Sequence, residues 1–276
     1  MGNHKNLKYT MKKIVKSIVN SFGYTIHKKP EAVMDTLQQN EAVAYDDDIL
    51  NEARSLYEEC RPYTMLSLER VEAIVDSIDY ICSNNIDGDI VECGVWRGGA
   101  MYVAAKALLK RNVLHKKFYL FDTYDVKTFG STSNETEFDK DFLGKTALDA
   151  INEGDFILEN YNYHLDEVTS LLESTGYPKE NFIYVVGRVE DTLPYHERLK
   201  ISLLRLDTDW YESTKHELIH LYPYLIHKGV LLIDDYGFWQ GSKKACDEYF
   251  SEKNIAIMLH RSDFFGRVAI KVDACL

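Results

Sequence analysis

The chain has 276 residues, enough for one large α/β domain or a medium domain with an attachment. Its 45% hydrophobic and 28% charged residues are ordinary for a globular protein, and only 5 prolines and 15 glycines argue against a disordered or fibrous chain. A formal net charge of -12 argues against a nucleic-acid partner, and no apolar run reaches the ~18 residues of a membrane-spanning helix.

Residues 1–30 carry Lys5, Lys8, Lys12, Lys13, Lys16, Lys28 and Lys29, and no acid. Between them Leu7, Met11, Ile14, Val15, Ile18, Val19 and Phe22 recur at helical spacing, which predicts a basic amphipathic helix. Such a helix packs on its own domain or on a second subunit, or lies on an anionic membrane surface. It has no A-x-A-like cleavage site, which argues against a secretory signal. Residues 31–62 read as a polar connector ending in a short helix over 53–59. Within it, Asp46, Asp47 and Asp48 read as a solvated run rather than a metal site.

From residue 63 to 276 the pattern is one of alternation. An apolar helical face (Leu66, Val71, Ile74, Val75, Ile78, Ile81) predicts a helix over 66–84. GDIVECG (88–94) is a short buried strand, and Gly98 and Gly99 open an apolar helix over 100–109. KFYLFD (117–122), FIYVVG (182–187), SLLRLD (202–207) and GVLLID (229–234) are further strands, with helices over 213–226 and 241–253. IAIMLH (255–260) and RVAIKV (267–272) predict an antiparallel pair. Strands separated by helices define an α/β, doubly wound, Rossmann-like sheet, mostly parallel with an antiparallel C-terminal strand, preceded by N-terminal helices. The irregular stretch 125–165 reads as a lid or substrate loop. The five cysteines, Cys60, Cys82, Cys93, Cys246 and Cys275, form no C-x-x-C pair. They fit reduced thiols in the cytoplasm better than disulfides or structural zinc.

Doubly wound sheets bind ligands at the carboxyl ends of their strands. Two constellations fall there. The first is Glu92-Cys93-Gly94-Val95-Trp96-Arg97-Gly98-Gly99, a strand-to-helix turn, with Asp122 ending the next strand. Glycine lets a backbone approach a ligand closely, and an acid in the place of Asp122 can accept from both ribose hydroxyls. The dinucleotide fingerprint G-x-G-x-x-G is absent, and Glu92 suits a cationic sulfonium better than a phosphate. A methyl donor therefore fits better than NAD, with a ligand-free tight turn as the plain alternative. The second constellation is Asp207 and Asp209 on one strand end with Asp234 and Asp235 on the next. Four carboxylates together repel unless protonated or bound to a cation, and an all-oxygen set suits Mg²⁺, Mn²⁺ or Ca²⁺. Helix capping is the alternative for any one of them.

The segments TMLSLERV (64–71), GDIVECGVWRGG (88–99), YLFDTYD (119–125) and 204–249 together resemble the macrocin O-methyltransferase (TylF-type) family. The resemblance runs in order from about residue 62 to 250. It implies a class I S-adenosylmethionine-dependent methyltransferase that needs Mg²⁺ and acts on a hydroxyl of a sugar or glycoconjugate. It further implies that Thr64 and Met65 lie against the cofactor and that Glu92, Cys93, Gly94, Val95 and Trp96 form the loop under its amino-acid part. Asp122 would hold the ribose, and Gly187 and Arg188 would border the adenine. Asp207, Asp234 and Asp235 would ligate the metal, with Asp209 as general base. The string His216-Glu217-Leu218-Ile219-His220 matches H-E-x-x-H formally, but the resemblance places it on the helix after the aspartate pair, away from the cofactor. Other readings are a cofactor-binding module without turnover, a metal-dependent hydrolase using the same aspartates, and a catechol-type phenol methyltransferase. A cytoplasmic homo-oligomer is expected, touching the inner membrane face if residues 1–30 bind lipid.

Overall fold

A computed structural model describes residues 48–124, 135–146, 149 and 163–272. The basic helix expected over 1–30, the connector up to residue 47 and much of the expected lid lie outside the described residues. No helix among the described residues is long and apolar enough to cross a membrane.

Helix α1 (Asp48–Cys60) is longer than the expected 53–59 and buries Ala53, Leu56 and Cys60. A 3-10 turn at Arg61–Tyr63, containing Pro62, ends it and leaves Thr64 extended. Helix α2 (Leu68–Ser83) starts where Ser67 Oγ accepts from the Arg70 amide, an N-cap bond of 3.2 Å. Its buried residues Val71, Ile74, Val75, Ile78 and Ile81 follow the expected period.

The sheet contains β1 (Asp89–Cys93), β2 (Phe118–Asp122), β3 (Phe182–Val186), β4 (Ile201–Leu206), β5 (Leu225–Ile233), β6 (His260–Arg261) and β7 (Arg267–Ile270). Its order is β3-β2-β1-β4-β5-β7-β6. The first five are parallel, while β7 runs antiparallel to β5 and β6. The order reverses between β1 and β4, which is where such sheets open a ligand crevice. Helix α3 (Gly99–Lys110) follows β1, and α4 (Leu165–Ser174) precedes β3. Side chains alternate between two cores, one per face. Ile90, Leu120, Leu203 and Leu232 join the helices α1 to α4 on one face. Val91, Cys93, Phe121, Leu204, Leu206, Leu231 and Ile233 pack on the other. Strands buried on both faces explain the near-continuous apolar runs in the sequence.

Further expected boundaries move. The helix expected over 213–226 is α6 (Tyr211–His220), which comes after a short α5 (Val189–Thr192). Pro223 confines the residues after α6 to a 3-10 turn at Tyr222–Tyr224, and β5 begins at Leu225 rather than 229. Of residues 255–261, only His260 and Arg261 pair with β7. Ile255, Ile257 and Leu259 turn toward the core while Met258 faces out, so the strand-like alternation of 255–259 comes from packing without a ladder.

Residues 135–146 cross the N-terminal ends of α6 and α7 (Gln240–Glu252). Neither helix has a side-chain cap of its own, since Trp210 and Trp239 occupy the cap positions. The strap supplies the missing acceptors. Asp139 Oδ1 accepts from the Tyr211 amide at 2.7 Å, and the Lys140 carbonyl accepts from the Gln240 amide at 2.8 Å. Asp139 is fully buried, and its Oδ2 accepts from the Thr136 amide and hydroxyl. Asp139→Ala is expected to lower stability by about 1–2 kcal/mol, as for loss of a helix cap. Hydrogen exchange at the Tyr211 amide should accelerate with it, and unchanged exchange there would contradict the capping role.

Candidate active site

The strand ends place the functional residues. Each ladder extends one residue past its strand: Gly94 N bonds the Phe121 carbonyl, Gly187 N that of Asp122, Asp207 N that of Cys93, and Asp234 N that of Leu206, all at 2.9 Å. Gly94, Asp207 and Asp234 are thereby aligned at one edge. Gly94 has φ +82, and a Cβ there would lie 1.9 Å from the Asp207 carbonyl oxygen. Only glycine lets β1 and β4 turn outward so close together.

A cavity of about 390 Å³ opens at this edge. Twelve of the fourteen residues expected in the site line it: Thr64, Met65, Gly94, Val95, Trp96, Asp122, Gly187, Arg188, Asp207, Asp209, Asp234 and Asp235. Glu92 and Cys93 do not. Both are fully buried, because they belong to β1 itself and not to the turn after it. The structure places them in the layer behind the cavity wall.

Asp122 organises the glycine turn. Its Oδ2 accepts from the Val95 amide at 2.6 Å and the Trp96 amide at 2.9 Å. Its Oδ1 accepts from the Tyr124 amide at 2.7 Å and the Tyr163 hydroxyl at 3.1 Å. A carboxylate has about four acceptor positions, so a ribose hydroxyl reaching Asp122 would exchange with Tyr163.

The acidic cluster is held by arginine. In the sheet register Glu92 lies beside Arg205, with Leu120 and Leu232 on either side of the pair. Arg205 pairs with Glu92 at 2.6 Å, with Asp207 at 2.7 Å and with Asp234 at 2.6 Å. Arg70 on α2 pairs with the other oxygen of Asp234 and, at 3.0 Å, with Asp263. Burial pushes the Glu92 carboxyl up to about 7, against the charge of Arg205. Burial likewise holds Asp207 and Asp235 well above the usual carboxylate range. Asp207, Asp234 and Asp235 each offer an oxygen within 4.8 Å of the others, the only such metal-capable group among the described residues. Asp209 adopts φ +68, and its amide donates to Asp235 Oδ2 at 3.2 Å. Burial, then the charge of Asp207, pushes its carboxyl up to about 7.

Trp210, Phe238, Trp239 and Phe265 close the cavity beside these acids, with the Trp210 and Trp239 rings 4.9 Å apart. Sequence reasoning missed these, as it missed Arg70, Tyr163 and Arg205. Arg205 carried a readable signal, a lone charge inside the apolar run SLLRL. Tyr163 carried none, lying in a stretch without periodicity. The His216 and His220 rings lie 4.4 Å apart at a tilt of 53°, His216 Nε2 lies 3.2 Å from the Leu193 carbonyl, and neither joins the acidic cluster.

A glycine turn after the first strand, acids at the ends of the second, fourth and fifth, and this strand order define a Rossmann-like methyltransferase. The chain belongs to the macrocin O-methyltransferase (TylF) family, whose sequence pattern matches residues 9–269. It is an O-methyltransferase, and the hydrolase reading of the aspartates is set aside. Demethyldecarbamoylnovobiocin O-methyltransferase of Streptomyces niveus is 28% identical over 213 residues, 77% of this chain and 76% of that protein. The 8-demethyl-8-(2,3-dimethoxy-alpha-L-rhamnosyl)-tetracenomycin-C 4'-O-methyltransferase of Streptomyces olivaceus is 26% identical, over 74% of each chain. Mycinamicin III 3''-O-methyltransferase of Micromonospora griseorubida is 26% identical, over 70% of this chain and 72% of that one. The solved structure of the O-methyltransferase NovP matches with a TM-score of 0.63 at 27% identity, covering 76% of this chain and 83% of that one.

Removing one partner of the buried pair should leave an uncompensated charge. Arg205→Met is expected to cost about 3–5 kcal/mol in chemical denaturation, and Glu92→Met added to it should restore part of the loss, the rest belonging to Asp207 and Asp234, which Arg205 also pairs. A double variant no more stable than the single one would contradict the pairing.

Proposed function

We propose that the protein transfers a methyl group from S-adenosylmethionine to a hydroxyl of a sugar or glycoconjugate, with Mg²⁺ at Asp207, Asp234 and Asp235. The observation that carries this is the convergence, in one cavity, of the Gly94–Trp96 turn with the three-carboxylate cluster. Family membership supports the reaction. The names of two relatives place their methyl groups on a 4' oxygen beside a rhamnosyl unit and on a 3'' oxygen, which supports a sugar acceptor.

The donor set fits the metal. Three buried or half-buried carboxylates, drawn together at strand ends, are the all-oxygen set that a hard divalent cation takes. When bound there, Mg²⁺ would lower the pKa of a coordinated alcohol and fix its position, and S-adenosylmethionine would supply the electrophilic methyl. Asp207, Asp234 and Asp235 hold the acceptor side of the cavity. The turn from Gly94 to Trp96 offers backbone to the amino-acid part of the donor, with Thr64 and Met65 opposite. Gly187 and Arg188 border its adenine. Asp209 takes the acceptor's proton on its carboxylate, and its raised pKa makes it a stronger base than an ordinary aspartate. Trp210, Phe238, Trp239 and Phe265 exclude water from the reacting atoms.

Calorimetric titration with S-adenosylhomocysteine, with and without Mg²⁺, tests the donor pocket, and micromolar binding is expected. Failure of a folded sample to bind in either condition would contradict the reading. Asp207→Ala and Asp234→Ala should keep that binding and lose Mg²⁺-dependent turnover in a screen of unmethylated glycosides and phenols. Asp209→Asn should keep both ligands and lose about 10²–10⁴-fold in kcat on any acceptor that the screen finds.

A further inference from the structure

We propose that Glu217, acting through Thr208, is a positioning residue for the loop that carries Asp207 and Asp209; this rests on the metal reading of the acidic cluster.

Glu217 lies on the buried face of α6 and is fully buried. Its Oε1 accepts from the Thr208 hydroxyl at 2.8 Å, and its Oε2 has no hydrogen-bond partner among the described residues. A helix face turned to the core is served better by leucine, and a buried carboxyl with an unmatched oxygen is costly. The one polar contact that Glu217 makes among the described residues falls between two residues of the site. Thr208 separates Asp207, a metal-capable carboxylate, from Asp209, whose left-handed backbone is unfavourable for a residue with a Cβ. The loop is gripped at Thr208 from both ends. Its carbonyl accepts from Ser213 Oγ at 3.2 Å and from the Trp210 amide at 2.7 Å, while its hydroxyl is tied to Glu217. Freed from Glu217, Thr208 can rotate. The turn at Asp209 then loses a restraint, and the placing of Asp207 beside Asp234 and Asp235 rests on Arg205 and the strand-end ladder alone. Hydrogen-bonded groups behind metal ligands commonly set metal affinity in this way.

The test is calorimetric titration of the full chain with Mn²⁺ in saturating S-adenosylhomocysteine, so no acceptor is needed. Thr208→Val and Glu217→Leu should each weaken Mn²⁺ about 10–100-fold. Glu217→Gln keeps a carbonyl for the Thr208 hydroxyl and should stay near wild type. The Thr208→Val/Glu217→Leu double variant should be no weaker than the worse single one, because both remove the same bond. Affinity for S-adenosylhomocysteine should not change. Wild-type Mn²⁺ affinity in Thr208→Val overturns the proposal, and that variant decides if Glu217→Leu does not fold. Equal loss of Mn²⁺ and S-adenosylhomocysteine binding, or a Glu217→Gln as weak as Glu217→Leu, overturns it too. A wild-type protein that binds S-adenosylhomocysteine but no Mn²⁺ overturns the metal reading itself, and the proposal with it.

Discussion

A single ion pair inside the sheet underlies the site. Glu92 on β1 and Arg205 on β4 are register partners, flanked in their row by Leu120 and Leu232. A charge on Glu92 would be costly in that place without Arg205. Together they tie the strand that leads into the glycine turn to the strand that leads into Asp207. Arg205 then reaches past the strand end to Asp207 and Asp234. The face that would otherwise be plain apolar core is thus wired to the chemistry at its edge. The turn, the acids and the cavity all lie close to this pair, along the chain or across the register.

The charge balance at that edge is incomplete. Arg70 and Arg205 pair with Glu92, Asp207, Asp234 and Asp263. Asp209 and Asp235 make no ion pair with a cationic side chain among the described residues. Burial and mutual repulsion push both carboxyls up, so the cluster either keeps protons or takes a cation. The two arginines set the shape of the cluster without neutralising it. Asp122 plays the matching part at the glycine turn, committing its Oδ2 to the Val95 and Trp96 amides.

Much of this was legible in the sequence because strand ends are chemically marked. Gly94, Asp122, Asp207 and Asp234 each close an apolar run, and a doubly wound sheet gathers such residues by topology alone. Interactions between segments distant in the chain were not legible. Glu92 read as part of the ligand turn because its burial depends on register with Arg205. The cap that Asp139 gives α6 spans 72 positions, and no local signal at Trp210 announces it. Residues 255–259 alternate as a strand does, yet the core supplies the alternation and no ladder forms. Glu217 sat in a string that suggested zinc, while its actual partner is the hydroxyl of Thr208.

The most direct measurement is anomalous diffraction from crystals grown with Mn²⁺ and S-adenosylhomocysteine. One manganese peak bounded by the carboxylates of Asp207, Asp234 and Asp235, with S-adenosylhomocysteine seated against Gly94–Trp96, is the expected result. S-adenosylhomocysteine bound there with no manganese at the three aspartates would contradict a metal-assisted transfer.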